Sequence, residues 1–162
     1  MEKIGELLVE FLHNGKFLTV LGAALAAILP GIGSAKAVSA VGEALDGLMS
    51  DDPDKFGKGF LLQCLPATQG LYGFIVAFLC MGQLSSVDSF EKGIYYLGAC
   101  LPIMVCGMYS AIKQGKVAAA GIVTISKRPE ASGKTVTATA MVELYALLAL
   151  IISILLVTNN PF

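Results

Sequence analysis

The sequence predicts an all-α integral membrane protein, with four transmembrane helices arranged as two duplicated helical hairpins. Three observations predict it. First, the 162 residues are 56% hydrophobic and only 14% charged, with a mean hydropathy of +0.75, whereas soluble domains usually carry about 25% charged residues. Second, four stretches reach the roughly 20 mostly apolar residues that a helix needs to cross a bilayer. Third, the two halves of the chain repeat each other. The length suits one membrane domain over residues 1–162, with hairpin 1 at about 17–84 and hairpin 2 at about 93–157.

The first span runs from about Phe17 to Val41, the second from Phe60 to Leu84, the third from Gly93 to Ile125 and the fourth from Val136 to Val157. Polar loops separate them at Met49–Lys58, Ser85–Lys92 and Ser126–Lys134. Before the first span, Met1–Lys16 carries Glu2, Glu6 and Glu10. A signal peptide begins with a basic segment, so this stretch reads as an amphipathic lead-in with Ile4, Leu7, Leu8 and Phe11 on one face. The first apolar run is then a retained helix. His13 reads as a surface residue. Cys64, Cys80, Cys100 and Cys106 lie in apolar surroundings without a C-x-x-C pair and read as small buried hydrophobes.

Four spans place both termini on one side. The first and third loops hold Lys55, Lys58, Lys127, Arg128 and Lys134, against Lys3, Lys16 and Lys92 on the other face. The positive-inside rule therefore puts loops 49–58 and 126–134 in the cytoplasm of a multi-pass cell-membrane protein. Lys36, Lys113 and Lys116 sit in the cytoplasmic halves of spans one and three, to snorkel or to face a bundle interior. A net charge of −1 leaves no basic footprint for nucleic acid.

The repeat is legible in short segments. Gly33-Ser-Ala-Lys36-Ala-Val-Ser-Ala matches Lys113-Gln-Gly-Lys116-Val-Ala-Ala-Ala, and Gly70-Leu-Tyr-Gly matches Glu143-Leu-Tyr-Ala. Gly70 and Glu143 thus hold equivalent positions, and only the second hairpin keeps a carboxylate there. Spans one and three are rich in small residues, among them Gly22, Gly33, Gly107 and Gly115, which let helices approach closely. This suits close packing within one bundle or the crowded inside of a ring.

Glu143 lies about nine residues past the third loop, roughly 13 Å into span four. A charge at such depth costs at least about 2.5 kcal/mol on insertion scales and marks a functional site by default. Thr68 and Gln69 lie at a similar depth in span two, and Gln114 falls within about one turn of that layer in span three. Leu65, Thr68, Gln69 and Tyr72 follow the i, i+3, i+4, i+7 spacing of one helix face. Hydroxyl, amide and carboxylate oxygens suit a hard cation, and one carboxylate balances one positive charge. Pro66 removes a backbone N–H, which predicts a freed carbonyl at Leu62. Tyr72 is placed to donate to Glu143. A proton carrier needs only an apolar pocket around one glutamic acid. The extra glutamines and threonine favour sodium over a proton, although each also serves as an ordinary interhelical hydrogen-bonding group.

These segments resemble the membrane rotor proteolipid of V-type (V/A-type) ATPases, the c or K subunit. Leu65-Pro-Ala-Thr-Gln-Gly-Leu-Tyr-Gly-Phe74, Gln114-Gly-Lys-Val-Ala-Ala-Ala-Gly-Ile122 and Met141-Val-Glu-Leu-Tyr-Ala146 are similar to the bacterial sodium-translocating branch. Ala67 stands where a glycine is common in that family. The resemblance implies a homo-oligomeric ring in the lipid bilayer, turned through central-stalk subunits by ATP hydrolysis in a separate head. Each Glu143 would load an ion from a half-channel in a stator membrane subunit and release it beside a stator arginine. The implied Na+ ligands are the backbone carbonyl of Leu65 and the side chains of Thr68, Gln69, Gln114 and Glu143, with Tyr72 locking the occupied site. The same rotor role with H+ is one alternative; a stand-alone small cation channel or carrier, or a structural membrane pore, is another. The chain itself carries no G-x-x-x-x-G-K-[ST] phosphate loop and no nucleophile–base set, so no catalytic site is expected on it.

Overall fold

The computed structural model describes residues 3–4 and 14–161; His13 and most of the acidic lead-in lie outside the described residues. Among those described, four helical stretches are long and apolar enough to cross a membrane: Gly15–Asp51, Pro53–Gly82, Phe90–Lys127 and Pro129–Thr158. We label the helices α1 (Gly15–Asp51), α2 (Phe56–Cys64), α3 (Thr68–Gly82), α4 (Phe90–Lys127) and α5 (Ser132–Thr158). A single 3₁₀ turn, Leu65–Ala67, joins α2 to α3. Pro66 sits at the second position of that turn, where its missing N–H forces i→i+3 pairing on the local backbone.

α1 begins on a capped end. The Asn14 side chain accepts from the N–H groups of Lys16 and Phe17 at 3.0 and 3.3 Å, satisfying two of the free donors that open a helix. α4 begins likewise on Ser89, whose hydroxyl accepts from the Lys92 N–H at 3.3 Å. In the same turn Lys92 pairs with Asp88 at 3.0 Å, and this hydrogen-bonded ammonium holds the exposed Asp88 carboxyl below its usual range.

The first span runs ten residues further than the sequence predicted, ending at Asp51 rather than near Val41. Its 37 residues reach about 55 Å, well beyond a hydrocarbon core of about 30 Å. Glu43 and Asp46 break the apolar run, yet both lie on the exposed side of α1, so they do not interrupt the helix. The loop predicted at 49–58 shrinks for the same reason, to a 3₁₀ turn at Pro53–Lys55 between α1 and α2. The loop predicted at 126–134 shrinks to Arg128 and the 3₁₀ turn Pro129–Ala131.

α1 and α4 run parallel and touch backbone to backbone. Glycine makes this possible. A Cβ on Gly33 would lie 2.6 Å from the Met108 carbonyl oxygen, and one on Gly115 would lie 2.6 Å from the Ala37 Cβ. Farther along, the Pro30 ring of α1 fills the space left by Gly107 of α4 and Gly73 of α3. The small residues of spans one and three thus serve close packing within the bundle.

Two apolar cores form. One gathers Ala26, Val76, Cys80, Tyr96, Ile103 and Ala149; the other gathers Val41, Leu45, Leu62, Ala118, Ile122 and Ile125. Between them lie the buried polar residues Ser34, Gln69, Ser110, Gln114 and Thr139, drawn from every helical span. The bundle is a polar layer held between two hydrophobic plugs. Cys80 and Cys100 are buried as predicted, but Cys64 and Cys106 are exposed, because helix rotation turns them away from both cores. Lys36, Lys113 and Lys116 are also exposed, so none faces the interior of this bundle.

Candidate functional site

Depth counting in the sequence places Thr68, Gln69, Gln114 and Glu143 in one layer, and the structure brings all four into one hydrogen-bonded network. The centre is the Thr68 hydroxyl, at the start of α3. Its oxygen lies 2.7 Å from Glu143 Oε1, 2.9 Å from the Leu65 carbonyl and 3.4 Å from Gln69 Oε1. Carbonyl, amide and carboxylate oxygens thus converge on one hydroxyl that has a single proton to offer. Oxygens outnumber the donors between them, which is the electrostatic character of a site for a small cation.

Leu65 enters through its backbone. In the 3₁₀ turn its carbonyl accepts the N–H of Thr68 and lies 2.9 Å from the Thr68 hydroxyl oxygen. The missing N–H of Pro66 by itself points to the Leu62 carbonyl instead. Leu62 belongs to the core that gathers Val41, Leu45 and Ile122, and its side chain is fully buried there. The i→i+3 pairing is what brings the Leu65 carbonyl beside the Thr68 hydroxyl.

Tyr72, one turn beyond Thr68, donates its hydroxyl to Glu143 Oε1 at 2.5 Å. Glu143 therefore has two hydroxyls on one carboxylate oxygen. It is half-buried, and its neighbours Met141, Leu144, Tyr145 and Leu148 are exposed apolar side chains on α5. The carboxylate sits at the rim of the bundle, at the level of its polar layer, beside a face that lipid or another copy of the chain would cover.

Gln69 and Gln114 are both fully buried. Gln69 Nε2 donates to Gln114 Oε1 at 2.5 Å, and Gln114 Nε2 donates to the Thr139 carbonyl at 3.1 Å. A backbone carbonyl only accepts, so Thr139 fixes which end of Gln114 faces it. Gln114 in turn fixes Gln69. Gln114 therefore first orients Gln69, and its oxygen keeps one further lone pair. Leaving either amide without its partner would cost about 1–3 kcal/mol.

Ser110 and Thr139 were not singled out in the sequence. Both lie one turn from a predicted residue, at i−4 from Gln114 and from Glu143. That spacing is the signal that could have found them. In the first hairpin, Ser34 holds the position equivalent to Gln114, and its hydroxyl accepts from the Gly70 N–H at 2.9 Å. The degenerate half of the repeat thus uses its polar residue to tie α1 to α3. No trio of His, Cys, Asp or Glu is assembled among the described residues, so the donor set is one carboxylate with neutral oxygens, matched to a single positive charge.

The family model of the ATP synthase C subunit matches the chain twice, over residues 21–80 and 97–156. One match falls on each hairpin. The chain is 50% identical to the V-type sodium ATPase subunit K of Enterococcus hirae, over 91% of this chain and 94% of the relative. It is 35% identical to the A-type ATP synthase subunit K of Methanocaldococcus jannaschii, over 88% of this chain and 62% of that protein. It is also 28% identical to a 16 kDa proteolipid of the V-type proton ATPase of Ascaris suum, over 88% and 91% of the two chains. A duplicated apolar hairpin, one carboxylate in a polar mid-layer and a family match on each half lead to one conclusion: the chain belongs to the ATP synthase C-subunit family, the non-catalytic proteolipid rotor subunits of rotary ATPases.

Proposed function

We propose that this chain is the ion-carrying subunit of a V-type rotor ring and that the ion it carries is Na+, held by Glu143. The observation that carries this reading is the convergence of the Leu65 carbonyl, Gln69 Oε1 and Glu143 Oε1 on the Thr68 hydroxyl oxygen. A proton would need only the carboxylate. Three further oxygens of the right type suit a cation that must exchange its hydration shell for protein ligands. The 50% identity to a subunit named for sodium points the same way.

In this reading the ligands are the Leu65 carbonyl, the Thr68 hydroxyl, the oxygens of Gln69 and Gln114, and the Glu143 carboxylate. Sodium neutralises the carboxylate, which removes the cost of carrying a bare charge past lipid. The Tyr72 hydroxyl holds the carboxylate rotamer while the site is loaded. Partners are identical copies in the ring, a stator membrane subunit that offers half-channels, and central-stalk subunits that couple the ring to ATP hydrolysis. The segments 49–58 and 126–134, helix ends and the short turns between them, face the cytoplasm, where their basic residues belong. Both termini face the opposite side.

Equilibrium binding of radioactive sodium to the purified ring tests this reading. One saturable sodium per protomer is expected, with affinity falling as pH falls because protons compete for Glu143. Absence of saturable sodium binding at every pH, with transport of protons intact, would replace sodium by H+ in the same rotor role.

A further inference from the structure

Ser110 lies on α4, one turn before Gln114, and is 6% exposed. Its hydroxyl is 2.9 Å from the Val142 carbonyl of α5 and 3.4 Å from Gln69 Nε2 of α3. The Val142 carbonyl only accepts, so the single Ser110 proton goes to it. The Ser110 oxygen is then left as an acceptor, and the Gln69 atom facing it must be the NH2 group. Gln114 imposes the same polarity from its own anchor, the Thr139 carbonyl. Two backbone carbonyls of α5, at positions 139 and 142, therefore dictate which end of the Gln69 amide faces the Thr68 hydroxyl.

We propose that Ser110 is a positioning residue that fixes the polarity of the Gln69 amide, so that the amide oxygen faces the carried cation. The alternative orientation has a clear chemical cost. It would aim an N–H group at the Thr68 hydroxyl, where the amide oxygen now lies, and so place positive hydrogens where the ion must bind. Ser110 also grips the carbonyl of the residue immediately before Glu143, which steadies the backbone that carries the carboxylate. It reaches the ion only through other groups and is no ligand. Gln114 still restrains Gln69 when Ser110 is changed, so the expected effect is that of one lost hydrogen bond, about three- to ten-fold in affinity.

This inference rests on the sodium reading, and the test separates the two. Purified rings of the wild type, Ser110→Ala and Ser110→Thr are labelled with a carbodiimide, which attacks a protonated carboxyl in an apolar setting. The readouts are the labelling rate of Glu143 without sodium and the sodium concentration that halves it, at one fixed pH. Ser110→Ala is expected to leave the sodium-free rate unchanged and to need about three- to ten-fold more sodium. Ser110→Thr keeps the hydroxyl and is expected to restore the wild-type value. A role in packing alone would move ring stability and leave half-protection in place. If Ser110→Ala rings do not assemble, Ser110→Cys takes their place, and its weak S–H donor is expected to give an intermediate value. Equal half-protection in the wild type and the hydroxyl-free variant overturns the inference while sodium stands. Failure of sodium to protect even the wild type overturns the sodium reading and this inference with it.

Discussion

Replacing Glu143 with glutamine is expected to reduce sodium binding and sodium-coupled ATP hydrolysis by at least about 100-fold, a factor that corresponds to roughly 2.7 kcal/mol, while leaving the ring assembled. Glutamine matches the shape of glutamate, and the position is half-buried at the rim of the bundle. The Thr68 and Tyr72 hydroxyls that now donate to Glu143 Oε1 can donate equally to an amide oxygen. What disappears is the negative charge that balances the ion. Neutral oxygens alone leave a desolvated cation uncompensated in a low-dielectric layer, where an unpaired charge is costly. Sodium binding and coupled hydrolysis, read beside native electrophoresis of the ring, separate these effects. A ring that assembles and still binds sodium would remove Glu143 from the centre of the mechanism.

The second large effect lies in the packing. Gly33→Leu is expected to prevent assembly of a stable ring, and Gly33→Ala to destabilise it by about 1–3 kcal/mol, the usual cost of overpacking. A Cβ at position 33 would meet the Met108 backbone at 2.6–3.2 Å, and backbone cannot step aside as a flexible side-chain tip can. α1 and α4 would have to separate. Because α4 also carries Ser110 and Gln114, the separation would loosen the site as well as the fold. Gly47→Ala is the control, since nothing lies within 4 Å of a Cβ there and alanine favours helix over glycine. Thermal unfolding of the three variants in detergent measures the difference. Equal stability of Gly33→Ala and Gly47→Ala would show that the close approach of α1 and α4 contributes little.

How much of this was legible in the sequence depended on how rare each signal is. An acid, two glutamines and a threonine stand out in apolar spans, and a constant helical rise converts their positions into depth. That is why depth counting puts Thr68, Gln69, Gln114 and Glu143 in one layer, as the structure does. Small residues signalled close helix contact, as Gly33 and Gly115 bear out. Helix rotation was harder to read. It decides that Cys80 and Cys100 are buried while Cys64 and Cys106 are exposed, and these side chains carry little periodic signal. Ser110 escaped notice because serines in membrane helices commonly bond their own helix at i−4; here the hydroxyl reaches across to Val142 instead. The carbonyl at the site depended on whether Pro66 opened an α-helix or produced a 3₁₀ turn, and the turn chose Leu65. The end of α1 was obscured because Glu43 and Asp46 end the apolar run without ending the helix.

The central claim is that a sodium ion occupies the Glu143 carboxylate at the polar mid-layer. Carbodiimide labelling of the purified ring, across sodium concentration and pH, tests it most directly. Selective modification of Glu143 is predicted, slowed by sodium, with more sodium needed for protection as pH falls. Modification of Glu143 at the same rate with and without sodium, at every pH, would contradict the sodium site and leave a proton carrier in its place.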